Sequence, residues 1–409
     1  MNLQVNQKRL WSRLMSMAQI GATPAGGCNR QALSDQDFAA RQLFEQWAIA
    51  AGCSIRRDPI GNVFCRRPGL EDTAPAVMSG SHLDTQPTGG RFDGVYGVLA
   101  ALEVIDTLND LQVRTRHPLD VVVWTNEEGS RFDCAMMGSA VWAGNLALGD
   151  ALALKDLAGN TVQTELNRLG IQGEAPFKHN IKSAFELHIE QGPILENAGL
   201  PIGIVTGVQH MCRYRIHFHG QETHAGPSPM PLRQDPVRSL ADFLTSTYEI
   251  TNNHAPGGRV TFGYLNAEPG SPNTVPGTVE VTLDLRHPEQ QDYLAMINGI
   301  EKAMQQAARQ HNNTVVADKV WEAPGVTFDQ HCVNYVRSAA HKAGLAAMDM
   351  VSGAGHDACN VAAVAPTAMI FVPCDNGLSH NEAENISPVQ AANGTNVLLH
   401  AMLAAAEQV

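Results

Sequence analysis

Among the histidines and carboxylates of this chain, five stand where an apolar run ends or a glycine-rich turn bends the backbone, and residues of these types there can hold metal ions. In GSHLDTQPTGGRFDG, residues 80–94, His82 and Asp84 lie two apart at an expected strand end, so both side chains emerge on one side. That spacing suits His82 as a metal ligand, with Asp84 accepting a hydrogen bond from the other ring nitrogen and fixing tautomer and orientation. The glycines that follow let the chain turn back and deliver Asp93 to the same place. In TNEEGSRF, Glu127 and Glu128 close a second apolar run. Adjacent carboxylates at a buried strand end repel each other and lose hydration unless a cation or proton compensates. A solvated charged turn accounts for the pair equally well in isolation. A division of labour, Glu128 as ligand and Glu127 as general base, gives each a task. His188 in ELHIEQGP and His380 in NGLSHNEAE complete the set.

Three histidines and two carboxylates favour zinc over calcium or magnesium, whose sites are built mainly from oxygen, and leave manganese, cobalt or nickel as substitutes. The set implies two Zn2+ per subunit. With Asp93 bridging, His82 and His188 complete one ion, and Glu128 with His380 the other. Ions about 4 Å apart can share a water, bring its pKa toward neutrality and stabilise an oxyanion.

The elements that must position these residues repeat one pattern through the first half: a short apolar run, a polar or glycine-rich cluster, then a helix-like stretch. This is the pattern of an α/β fold. PAVMSGS precedes His82, LDVVVWT precedes Asn126, AFELHI surrounds His188, and TAMIFVP precedes the loop to His380. Each is apolar enough for a strand covered on both faces of a mostly parallel sheet, where reactive groups gather at the carboxyl ends. From 212 to 329 the pattern becomes alternating: in GTVEVTLDLR, Val279, Val281, Leu283 and Leu285 point one way and Glu280, Thr282, Asp284 and Arg286 the other. The expected order is strand 213–219, helix 235–250, strands 259–265 and 278–286, helix 289–309 and strand 313–320. That order is a ferredoxin-like unit. Because α/β sequence resumes after it, the smaller domain is inserted: 1–211 and 330–409 form the catalytic domain, 212–329 the insertion.

Bulk properties agree. A chain of 409 residues with 44% hydrophobic content exceeds what one core usually supports. The net charge of -13 argues against nucleic acid or an anionic membrane as partner and favours a small-molecule substrate. Eight cysteines without a Cys-x-x-Cys pair suit a reducing compartment. Near the N-terminus Leu10, Leu14 and Met17 share a helical face interrupted by Lys8, Arg9 and Arg13, so no signal sequence is expected. No apolar stretch approaches the roughly 20 residues of a membrane helix, and the cytoplasm is the expected location.

In order and content, GSHLDTQPTGGRFDGVYGVLAALEV, NEEGSRF, ELHIEQGPILE, GQETHAGPSPMPLRQDP, PNTVPGTVEVTLDLRHP, SGAGHDA and GLSHNEAE resemble the M20 family of di-zinc aminoacylases and peptidases. Within it they resemble the N-carbamoyl-L-amino acid hydrolases, β-ureidopropionases and allantoate amidohydrolases. The resemblance implies the same five ligands, Glu127 as base, Asp84 behind His82, and an inserted lid that also forms a homodimer interface. It implies that His224 acts across the dimer on the neighbouring subunit's oxyanion, and that Asn273 and Arg286 grip a substrate carboxylate. Gln191, Gly355 and His356 are implied as further substrate contacts. His210 stands where relatives usually carry glycine, and Pro227-Ser228 replaces a common Thr-Thr, which bears on substrate identity. The expected activity is hydrolysis of N-carbamoyl-L-amino acids to amino acid, carbon dioxide and ammonia. Allantoate amidohydrolase comes next, then N-acyl amidase or dipeptidase, and last an inactive metal-binding scaffold.

Overall fold

Four largely buried runs form the parallel heart of a nine-stranded sheet in the computed structural model, which describes residues 3–177 and 180–407. In sheet order they are Leu119–Trp124, Ala76–His82, Ile181–Ile189 and Thr367–Val372. Antiparallel strands border this heart, Val63–Arg67 beside Leu119–Trp124 and Ile202–Val208 beside Thr367–Val372. Ala76–His82, Leu119–Trp124 and Thr367–Val372 are buried along their whole length, as a sheet covered on both faces requires.

The helix Val95–Asp110 carries the chain from the strand ending at His82 to its parallel neighbour and is buried nearly all round. Its one buried carboxylate, Glu103, is paired with Arg9, at 2.7 Å from Nε to Oε2, and this ties down the N-terminal helix Gln7–Met17. Leu10, Leu14 and Met17 are its buried face, as the sequence spacing predicts. The C-terminal helix Pro388–Ala406 opens on a capping box between Ser387 and Gln390 and packs on Val95–Asp110. No described helix is long and apolar enough to cross a membrane.

The chain divides into two compact units, 1–207 with 327–409, and 208–326. The second unit is an antiparallel sheet with two helices, Pro236–Asn253 and Gln290–Gln310. Its central strands, His210–His219 and Thr278–His287, pair antiparallel, and Thr314–Ala323 flanks the first of them. Along Thr278–His287 burial alternates residue by residue, with Val279, Val281, Leu283 and Leu285 in the core. The expected strand 259–265 is broken into Arg259–Thr261 and Leu265–Glu268, both paired to Thr278–His287. The break falls at Phe262-Gly263-Tyr264: Phe262 turns in against Phe243, with ring centroids 5.8 Å apart, and Gly263 offers no side chain to hold the ladder.

Candidate metal centre

The carboxyl ends of the four parallel strands converge on one acidic, histidine-lined cluster. His82 is the last residue of its strand and His188 the next to last of Ile181–Ile189. Glu127 and Glu128 follow Leu119–Trp124 after a turn at Asn126, held at φ 55°. The Asn126 amide closes that turn by donating to the carbonyls of Phe132 and Cys134 at 3.1 and 2.9 Å. Gln191 and His380 also adopt positive φ, 59° and 52°. Left-handed backbone at non-glycine residues costs of order 1–3 kcal/mol, and these three lie in loops that carry the polar side chains.

Asp93 is the hub. Its Oδ1 lies 3.7 Å from His82 Nε2 and 3.1 Å from His188 Nε2, while its Oδ2 lies 3.3 Å from His380 Nε2. His380 Nε2 is also 3.2 Å from Glu128 Oε2. Two groups of potential ligand atoms result, His82 with Asp93 and His188, and Asp93 with Glu128 and His380. The tautomers suit this. His82 Nδ1 donates to the Asp84 carbonyl and His188 Nδ1 to the Ile189 carbonyl, both at 2.9 Å, which turns each Nε2 toward Asp93; the His188 Nε2 also lies 3.1 Å from the Gly94 N–H. A third group, Glu186 with His188 and His356, shares His188 with the first. There Glu186 is already engaged, accepting from Ser81 Oγ at 2.6 Å and from the Ala358 N–H at 2.9 Å.

Asp84 differs from expectation. Its carboxylate is 4.0 Å from His82 Nδ1, and its backbone carbonyl supplies the hydrogen bond that orients the ring. The carboxylate instead accepts from the N–H groups of Glu127 and Glu128, at 3.3 and 3.1 Å. At a strand end the chain curls, so the backbone oxygen two residues on reaches the imidazole before the side chain does. Asp84 therefore orients the Glu127-Glu128 turn.

Burial and close charges move these groups away from their ordinary values. Burial, then repulsion from Asp357 and Glu128, raises the Glu127 carboxyl well above its ordinary range. Burial and the nearby Asp93 push Glu128 up to about 8. Burial opposes charge on His188, yet the hydrogen bond to Asp93 carries it up to about 9. The same partner takes His380 up to about 9. Burial pulls His82 down. Glu127 Oε2 stands 3.5 Å from His82 Nε2, beside the ligand atoms, as a base acting on a bound water needs. Three imidazoles and two carboxylates converging within ligand distance of one another fit a metal centre, and the nitrogen content fits a transition metal.

Residues outside the expected set support the ligands. Gln86 Nε2 donates to Glu128 Oε2 at 2.7 Å, Ser379 Oγ to Asp93 Oδ2 at 2.8 Å, and Glu384 accepts from the N–H of Asp93 at 3.1 Å. Ser379 and Glu384 lie inside SHNEAE around His380, and that proximity is the one signal of them in the sequence. The Gln191 amide also serves Asp93, with Nε2 2.9 Å from Oδ2. His356 is buried, its ring edge-on to His188 with centroids 4.6 Å apart, and Gly355 is half-buried in the preceding turn. In the second unit His224 is exposed on a two-residue strand paired with Thr274–Val275. Asn273 Nδ2 lies 3.5 Å from its Nε2. Arg286 is on the polar sheet face, its Nε 2.7 Å from Asp284 Oδ1.

Fold and centre together define a hydrolase of the M20 class. The chain matches Peptidase family M20/M25/M40 over residues 78–404, and it belongs to that family. It is 45% identical over 409 residues to an N-carbamoyl-L-amino-acid amidohydrolase of Rhizobium meliloti, covering 100% of this chain and 98% of the relative. It is 33% identical to an allantoate amidohydrolase of Bacillus subtilis, covering 93% of each. Among solved structures, an amidase of the hydantoinase/carbamoylase family from Burkholderia multivorans is 48% identical, with a TM-score of 0.96 and 99% of each chain covered.

Proposed function

We propose that the protein hydrolyses the carbamoyl C–N bond of N-carbamoyl-L-amino acids, with two zinc ions per subunit. The observation that carries this reading is the pair of ligand groups sharing Asp93, in a chain 45% identical end to end to an enzyme named for that reaction. Held by His82, Asp93, Glu128, His188 and His380, the metal would acidify a water and polarise the carbamoyl oxygen. Glu127 takes the proton of that water as oxygen bonds to the carbamoyl carbon. It then passes the proton to the amino-acid nitrogen as the C–N bond breaks, and the released carbamate falls to carbon dioxide and ammonia. Asp84 holds the Glu127 and Glu128 backbone throughout.

In this reading Arg286 and Asn273 bind the substrate carboxylate, the planar guanidinium matching two oxygens at once. Gln191, Gly355 and His356 line the substrate's approach. His224 stabilises the oxyanion in a homodimer, each subunit serving its partner, with the inserted domain as lid and dimer contact. The eight free cysteines support a cytoplasmic setting. Allantoate is the second candidate substrate, favoured by the Bacillus subtilis relative.

The test is ammonia release by the metal-replete protein from N-carbamoyl-L-amino acids, N-carbamoyl-β-alanine and allantoate, beside amino-acid release from dipeptides. Turnover greatest on an N-carbamoyl-L-amino acid is expected. Dipeptide cleavage with no ammonia from any ureido compound would overturn the assignment.

A further inference from the structure

Asp93 and His380 reach the centre from loops far apart in sequence, and one buried side chain joins those loops. Glu384 is fully buried, and its Oε1 accepts from the backbone N–H groups of Phe92 at 2.8 Å and Asp93 at 3.1 Å. Its Oε2 lies 2.9 Å from Ser379 Oγ. Ser379 precedes His380, and its hydroxyl also lies 2.8 Å from Asp93 Oδ2. The Asp93 loop is shaped to admit this carboxylate: a Cβ on Gly90 would sit 2.0 Å from Glu384 Cδ. A further carboxylate buried beside an acidic cluster is costly unless its contacts do something that an apolar residue could not. Here they satisfy two backbone donors and orient one hydroxyl.

We propose that Glu384 is a positioning residue of the metal centre: by holding the Phe92–Asp93 backbone and Ser379 on its two oxygens, it fixes the separation of Asp93 from His380 and so sets the ligand group of Asp93, Glu128 and His380. The group of His82, Asp93 and His188 depends on it less, since both histidines sit on strands and only Asp93 is shared. The role is geometric. In Glu384→Gln the amide oxygen can keep both backbone N–H groups, and the amide nitrogen can donate to Ser379 Oγ, leaving the hydroxyl proton for Asp93. In Glu384→Ala all three contacts go.

This proposal rests on the two-ion reading above, and metal binding tests both without recourse to turnover. Metal content is measured at buffered free zinc, together with the visible absorption of the cobalt-substituted protein. Wild type is expected to bind two ions. Glu384→Ala should keep one tightly and bind the second about 10- to 100-fold more weakly, the loss typical when an indirect partner of a metal ligand is removed. Glu384→Gln should recover most of the affinity and the wild-type cobalt spectrum. A wild type holding two ions beside a Glu384→Ala protein with unchanged affinities and spectrum overturns the positioning role alone. Glu384→Gln as weak as Glu384→Ala also overturns it. A wild type that holds one ion overturns the two-ion reading and this proposal with it. Should Glu384→Ala fail to fold, Ser379→Ala takes its place, and an unweakened second ion there overturns the proposal.

Discussion

Gly94→Ala is the change that strikes the centre through sterics alone. A Cβ at this position would lie 2.3, 2.4 and 2.5 Å from Nε2, Cε1 and Cδ2 of His82, where ordinary contact begins at 3.4 Å. The ring must therefore retreat by 1.1 Å, the difference between 3.4 and 2.3. Zinc–nitrogen bonds tolerate about 0.2 Å, so in the two-zinc reading proposed above His82 would no longer reach the metal. Two costs to stability add. Alanine at φ 67° costs about 1–2 kcal/mol and overpacking a buried ring about 1–3 kcal/mol, together about 2–5 kcal/mol. Metal affinity at the His82 group should fall at least about 100-fold, the upper end of what an indirect partner's loss costs. Gly144→Ala separates the two effects, since Gly144 has φ 83° and a Cβ added there would meet nothing within 4 Å. It should lose only the backbone share, with metal binding intact. The assays are urea unfolding of the metal-free proteins and zinc titration against a chelator. Gly94→Ala with wild-type zinc affinity refutes the reasoning, and so does an affinity loss of the same size in Gly144→Ala.

Glu127→Gln should lower kcat by about 10²- to 10⁴-fold with metal content unchanged, and loss of metal instead would make Glu127 a ligand. Mixing inactive Glu127→Gln with inactive His224→Ala subunits should restore about a quarter of wild-type activity: half the dimers are mixed, and each has one complete site. No recovery after subunit exchange would place His224 in its own subunit's chemistry. In the metal-free protein, His188 and His380 are carried up to about 9 from 6.5, and Glu128 up to about 8 from 4.5. Groups with raised pKa values bind more protons folded than unfolded, so their contribution is fully present below the unfolded values and fades as pH rises through the folded ones. Stability of the metal-free protein should therefore decline as pH rises from 4.5 toward 9, while zinc, which displaces these protons, binds more tightly over the same range. Unfolding and zinc titrations at stepped pH check both slopes, and a metal-free protein that gains stability across this range would contradict them.

Much of the fold is legible in the chain because the chain is locally consistent. LDVVVWT and TAMIFVP are too apolar and β-branched for exposed structure, and the residues closing them are too polar for a strand interior. A strand end is thus marked from both sides. Alternation along Thr278–His287 is equally legible, because one covered face leaves a period of two. The split at Gly263 is not, since a single glycine in an alternating run can be a bulge, a bend or nothing.

Residue type and spacing alone determined which side chains could be ligands and which strands would carry them. Only the tertiary structure decided who holds whom. Asp84 passed from His82 to the Glu127-Glu128 turn because chain curvature places a backbone oxygen nearer the imidazole. Glu384, four residues past His380 and without a local pattern to mark it, became the buried partner of the Asp93 loop. Those pairings join residues remote in sequence, and no local period encodes the distance or direction on which a hydrogen bond depends.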